Sequence, residues 1–262
     1  MKSLNKENGW RWLFVHRFMV APEQIQNSLI SLMGEDLKHL RQVLRLEPGD
    51  TIRVFDGNGM EYEAELLTVE KNIATANVLF SFQSETEPKI RVTLFQGLPK
   101  GEKMDIIIQK AVELGVYKIV PVITQRSVVQ LDKKDREKKA ERWSRIAREA
   151  AKQCRRAYVP EVIPPINFDD VIKQHDNYDA SILLYENEEK KCLKELLKCY
   201  TINKIRNIAL FIGSEGGFTE QEVERCVALG YNVAGLGKRI LRAETASISV
   251  LAIIMYEMGE LQ

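Results

Sequence analysis

The chain has 262 residues, 45% of them hydrophobic and 29% charged, with a net charge of +1. That length suits one large domain or a small and a medium one, and the balanced charge gives no chain-wide argument for a nucleic-acid partner. No apolar run reaches the ~18 residues of a membrane span, no signal peptide precedes the first motifs, and no H-E-x-x-H or C-x-x-C spacing offers a metal site among His16, His39, His175, Cys154, Cys192, Cys199 and Cys226.

Short β-like runs dominate the chain up to about residue 85: 16–20, 51–55, 61–69 and 73–82. Turn chemistry separates them, at Glu47-Pro-Gly-Asp50, Asp56-Gly-Asn-Gly59 and Lys71-Asn72. Closely spaced strands with tight turns predict a small barrel, interrupted by one helix over residues 34–43. Residues 84–89 (Ser-Glu-Thr-Glu-Pro-Lys) read as a linker.

Beyond residue 90 the rhythm changes to strand, helix, strand. A buried strand over 90–98 precedes a helix with Met104, Ile107, Ile108, Ala111 and Val112 on one face and Gly115 past its end. A strand over 118–123 and a helix over 141–153 follow, the latter presenting Trp143, Ile146, Ala147 and Ala150 together. Between residues 133 and 156 stand eleven Lys or Arg against four Asp or Glu. Such a run serves either as a solvated helix face or as a phosphate-binding surface.

Three further apolar runs, 180–185, 208–212 and 233–236, are each followed by a helical segment, at 189–199, 219–229 and 243–257. This alternation predicts a parallel sheet flanked by helices, with ligands bound at the carboxyl ends of its strands. Two glycine-bearing loops fall at those ends. The first is Phe211-Ile-Gly-Ser-Glu-Gly-Gly-Phe-Thr219, whose Thr219 and Glu222 form a capping box. The second is Leu236-Gly-Lys-Arg-Ile-Leu-Arg-Ala-Glu-Thr-Ala246. Neither a Walker lysine loop nor a G-x-G-x-x-G is present, which argues against ATP and NAD. The helix-like settings of the cysteines point to reduced thiols in a cytoplasmic protein.

Taken in order, Arg17-Phe-Met-Val20, His39-Leu-Arg-Gln-Val-Leu-Arg45, Gln109-Lys-Ala-Val-Glu-Leu-Gly115, the segment 142–160 and the two glycine loops resemble the RsmE family. These are 16S ribosomal RNA uridine N3-methyltransferases of the SPOUT superfamily. The resemblance spans residues 16–257 and departs from the family at Ser214, where proline is usual, and at residues 1–15, which extend beyond the usual start.

The resemblance implies a PUA-like RNA-binding barrel over 16–84 and an α/β SPOUT methyltransferase domain over 85–262 whose C-terminal part forms a trefoil knot. It implies a homodimer, S-adenosyl-L-methionine as cofactor and no metal. The cofactor is then held by Leu184, Tyr185, Glu186, Gly213, Ser214, Glu215, Gly216, Gly217, Leu236, Gly237, Ile240, Leu241, Arg242, Thr245 and Ala246. Arg242 is expected to stabilise charge on the uracil, with Arg17 positioning it. Arg17, Arg41, Arg45, Arg155 and Arg156 are expected to meet 16S RNA, free or in the assembled small subunit. The alternatives are a SPOUT enzyme acting on another RNA site and a non-catalytic RNA-binding or ribosome-assembly protein.

Overall fold

The structure, a computed structural model, describes residues 16–127, 131–200 and 205–261. The expected extension over 1–15 lies outside them. The chain divides into two compact units. One holds the described residues up to Glu87 together with Lys152–Val159; the other holds Pro88–Ala151 and the described residues from Pro160 onward. The return of Lys152–Val159 to the N-terminal unit is a feature that a division drawn along the sequence does not express.

In the first unit, β1 (Arg17–Met19), β2 (Ile25–Gln26), β3 (Leu29–Leu32), β4 (Thr51–Phe55), β5 (Met60–Val69) and β6 (Ala74–Gln83) form one six-stranded sheet. Its order is β1-β4-β5-β6-β3-β2, with β1 parallel to β4 and the other pairs antiparallel. Alternation puts Phe18, Ile30, Leu32, Ile52, Val54 and Leu66 on the apolar side, where they join one core with Leu37 and Leu40. The β2–β3 hairpin escapes sequence reading because its turn residues, Asn27 and Ser28, adopt positive φ (49° and 66°) without glycine. The expected helix over 34–43 is a short α1 (Gly34–Lys38) that widens into a π-helical stretch, His39–Leu44.

The second unit carries β7 (Arg91–Gly97), β8 (Lys118–Ile123), β9 (Glu161–Val162), β10 (Ile166–Asn167), β11 (Ala180–Leu184), β12 (Asn207–Ile212) and β13 (Asn232–Ala234). Every recorded pairing among them is parallel, in the order β10-β8-β7-β12-β11-β13 with β9 beside β8. β11 is buried throughout, β7 and β12 nearly so, as a parallel sheet covered on both faces requires. Phe95 of β7 stacks on Phe211 of β12 at 4.2 Å between ring centroids, fixing the centre of the core.

The accompanying helices are α2 (Lys103–Glu113), α3 (Lys133–Gln153), α4 (Phe168–Val171), α5 (Leu193–Lys198), α6 (Glu220–Ala228) and α7 (Ala243–Glu257). Two of them depart from their expected bounds for identifiable reasons. α3 starts eight residues before the expected 141, because the Asp132 carboxylate accepts the Asp135 N–H at 2.7 Å and nucleates a turn with no apolar face. α5 starts late because the Glu188 carboxylate takes the N–H groups of Lys190 and Lys191 at 2.7 and 3.0 Å, holding the chain in a turn. None of the described helices is long and apolar enough to cross a membrane.

Candidate functional site

β12, β11 and β13 are neighbours running in one direction. Their carboxyl ends therefore lead side by side into residues 213–217, 184–186 and 235–242, three segments scattered over some sixty residues of sequence. Tyr185 N–H donates to the Ala234 carbonyl at 3.1 Å, extending the alignment past the strand ends. β7 lies on the other side of β12, where the order of connection reverses, the position at which open α/β sheets bind ligands.

The first loop is packed to the point where side chains have no room. A Cβ on Gly213 would sit 2.9 Å from the Gly217 Cα, and one on Gly97, at the end of β7, 2.5 Å from the Ser214 nitrogen. Gly217 has φ +63°, and its missing Cβ would lie 2.2 Å from a Glu186 carboxylate oxygen. Behind the loop, the buried Gln96 amide donates to the Gly213 and Gly97 carbonyls at 3.2 and 3.0 Å. Ser247, in α7, shares its hydroxyl proton between Gln96 Oε1 and the Ala243 carbonyl. A buried polar relay thus ties the glycine loop to the start of α7.

Charge fixes the outer side of this loop. The Glu215 carboxylate accepts the Lys100 N–H at 3.2 Å and the Lys103 ammonium at 2.7 Å. Lys103 also stands 3.8 Å from Glu244. Burial alone would raise the Glu215 pKa, but hydrogen bonds from Lys103 and from backbone N–H groups outweigh it and hold the carboxyl below its ordinary value. The hydrogen bond to Glu215 likewise raises the Lys103 pKa. Gln96, Gly97 and Lys103 carry no motif that marks them in the sequence, although Gly97-Leu-Pro-Lys-Gly-Glu-Lys103 directly follows a strand. Their roles arise from contacts with residues more than a hundred positions away.

The second loop is open. Gly237 has φ +97°, and a methyl group added there would meet nothing within 4 Å; Ile240 is 87% exposed. Among the described residues, no backbone N–H from 236 to 241 donates within the chain. Arg242 is the exposed N-cap of α7. It makes no side-chain hydrogen bond or ion pair among the described residues. Thr245 is exposed and Ala246 buried one turn inside α7. Ser214 is buried and its hydroxyl lacks a hydrogen-bond partner, as does Glu244 Oε2.

The remaining expected residues divide. Glu186 faces the glycine loop, whereas the side chain of Tyr185 lines a separate groove of about 410 Å³ with Glu188, Val223 and Val227. Arg17, Arg41, Arg45, Arg155 and Arg156 all belong to the first unit. Arg41 donates to the Lys71 carbonyl at 3.0 Å, and Arg45 and Arg155 are exposed. Arg156 departs from the exposure expected of an RNA contact: it is only 4% exposed and grips Glu87 through Nε and Nη2 at 3.0 and 2.8 Å.

A family model described as the RNA methyltransferase domain matches residues 86–255, and one described as the RNA methyltransferase PUA domain matches residues 32–79. Ribosomal RNA small subunit methyltransferase E of Bacillus subtilis is 36% identical over 91% of this chain and 94% of its own length. The chain belongs to the ribosomal RNA small subunit methyltransferase E family. The Synechocystis methyltransferase E is 35% identical over 96% of this chain and 80% of its own length. The methyltransferase E of Neisseria gonorrhoeae, a crystal structure bound to S-adenosyl methionine, is 32% identical with a TM-score of 0.79, covering 95% of this chain and all of that one. A Legionella pneumophila methyltransferase in complex with the same cofactor is 30% identical with a TM-score of 0.78, covering 92% and 97% of the two chains. Membership of the methyltransferase E family accounts for the two units: a PUA domain and an α/β methyltransferase domain with a parallel sheet between helices.

Proposed function

We propose that the chain methylates N3 of a uridine in 16S ribosomal RNA, using S-adenosyl-L-methionine. The observation that carries the proposal is the convergence of residues 184–186, 213–217 and 236–242 at the ends of three adjacent parallel strands, in a chain of this family. The residues fit the cofactor. Undonated amides over 236–241 suit the ring nitrogens of adenine, Leu236 and Ile240 offer apolar surface, and the unpartnered Ser214 hydroxyl supplies a further polar group. In this reading Gly213, Ser214, Glu215, Gly216 and Gly217 form one wall, Leu184, Glu186 and the backbone of Tyr185 the floor, and Leu236, Gly237, Ile240, Leu241, Arg242, Thr245 and Ala246 the other wall.

When bound, S-adenosylmethionine supplies an electrophilic methyl group on a sulfonium. The chain must supply orientation and a cation for the uracil. N3 bears a proton and is a weak nucleophile until it is lost, leaving negative charge shared with O2 and O4. Arg242, exposed and without a partner among the described residues, is the group to stabilise that charge. N3 is also the pairing edge, so the target uridine is unpaired or extruded when it enters. The PUA unit, with Arg41, Arg45 and Arg155, holds the surrounding RNA, free or in the small subunit.

The family resemblance extends this reading to a knotted C-terminal segment, a cytoplasmic location and a homodimer. Supporting the last, Ile253 and Tyr256 of α7 and Ile106 of the α2 helix packed beside it are exposed apolar side chains. Nucleoside mass spectrometry of 16S RNA treated with the purified chain should detect N3-methyluridine, and Arg242→Ala should lower kcat by a larger factor than it weakens cofactor affinity. Methylation at another base atom would overturn the assignment to uridine N3; unchanged kcat in Arg242→Ala would overturn the role of Arg242.

A further inference from the structure

Arg17 and Arg155 are both expected to face RNA, but their surroundings differ in kind. The Arg17 side chain is 17% exposed, its guanidinium lies 5.0 Å from the centre of the Phe55 ring, and Nη2 meets Glu61 at 3.2 Å. Glu61, itself 5% exposed, also accepts the Ser84 hydroxyl at 2.7 Å. The remaining reach of Arg17 goes to the backbone: Nη1 donates to the Arg155 carbonyl at 2.7 Å. The Thr86 hydroxyl approaches the same carbonyl at 3.4 Å. Burial lowers the Arg17 pKa against the opposing pull of Glu61, the signature of a cation taken out of solvent.

Arg155 is the recipient of this arrangement. It stands just past the end of α3 with φ +65°, a left-handed conformation that residues with a Cβ adopt at a cost. Its guanidinium is exposed and makes no hydrogen bond or ion pair among the described residues. Its immediate neighbour, Arg156, is buried on Glu87. Two adjacent arginines are thus turned opposite ways, and the carbonyl between them is the one that Arg17 holds.

We infer that Arg17 is a positioning residue that acts through Arg155: the half-buried Arg17, paired with Glu61, clamps the Arg155 carbonyl, holds the left-handed turn and presents the Arg155 guanidinium to an RNA phosphate. The inference rests on the reading of this unit as RNA-binding. It removes Arg17 from direct work on the uracil, since the group is enclosed and its donors face the protein.

The test is a double-mutant cycle on full-length protein, with RNA affinity measured over a range of salt concentrations. Arg155→Gly keeps the left-handed turn and deletes the cation; it should weaken RNA binding about tenfold and reduce the salt slope by about one. Arg155→Lys should stay within about twofold of wild type, since the charge remains. Arg17→Gln should weaken RNA binding about as much as Arg155→Gly, raising KM for RNA at unchanged kcat, and should add nothing in the Arg155→Gly background. If Arg17→Gln fails to fold, Arg17→Lys enters the same cycle, because lysine can pair with Glu61 without also clamping the carbonyl. A lowered kcat at saturating RNA, or a full loss on top of Arg155→Gly, overturns the inference. Wild-type protein that binds no ribosomal RNA would instead overturn the RNA-binding reading itself.

Discussion

Replacing Gly97 by alanine would put a methyl group where the glycine loop already lies. Its Cβ would fall 2.5 Å from the Ser214 nitrogen and 2.8 Å from the Gly213 carbonyl carbon. Both are backbone atoms, so no side chain can rotate away, and the contact is roughly 1 Å short of ordinary van der Waals separation. Gly97 itself is the last residue of β7, paired with Val122 of β8, and cannot retreat without breaking the ladder. Overpacking of this kind costs about 1–3 kcal/mol, partly offset by the ~0.4–1 kcal/mol that alanine gains by restricting the unfolded chain. A net loss of about 1.3 kcal/mol lowers the melting temperature by about 3–5 °C in a protein of this size. The displaced loop should also lose its grip on S-adenosylmethionine by about tenfold or more, since 1.4 kcal/mol is a factor of ten. Calorimetric titration with the cofactor, beside a thermal melt, reads both effects. Gly237→Ala is the counterpart: its φ of +97° strains any side chain, but no atom obstructs the methyl, so the loss should be smaller. A Gly97→Ala protein with wild-type melting and wild-type cofactor affinity would refute the claim that the two backbones are in contact.

Three other outcomes follow from the same contacts. Glu215 has its pKa depressed below 4.5, so its anchoring of the loop is present above that pH and is lost as pH falls through the lower, folded value; cofactor affinity should drop on acidification in wild type and stay flatter in Glu215→Gln. Burial pushes the Cys226 thiol from 9.0 to about 12, a contribution to stability that is present below pH 9.0 and fades as pH rises toward the folded value. At neutral pH iodoacetamide should label the exposed Cys199 and leave Cys226 untouched until denaturant is added; equal labelling rates would contradict this burial. Ser247→Ala strips the buried Gln96 amide oxygen of its partner, which should cost about 1–3 kcal/mol and weaken cofactor binding; an unchanged melt would show that the relay is not needed.

Much of this architecture is legible along the chain. The strands at 51–55 and 118–123 and the helix at 243–257 have the bounds expected from their patterns, because each is a predominantly apolar run with polar or glycine residues just beyond its ends. The α3 N-terminal turns, the β2–β3 hairpin and the late start of α5 are not legible, since each depends on a single side chain or on backbone angles that composition does not mark. The glycine loop is visible as a place of close approach, but what approaches it is not. Glu186 against Gly217, Gln96 against Gly213 and Gly97 against Ser214 join residues separated by 31, 117 and 117 positions.

The same limit applies to charge. Arg155 and Arg156 are indistinguishable as letters in a basic run, yet one is exposed in a left-handed turn and the other is buried on Glu87. Residue periodicity, loop glycines and ordered motifs determined by themselves that this is a two-part protein with a parallel-sheet domain and glycine-bearing loops at its strand ends, because those properties depend on local conformation and on which faces are apolar. Which arginines are exposed, and what packs against each glycine, only the tertiary structure decided, because burial and close contact depend on chain segments that come together only when the sheets form.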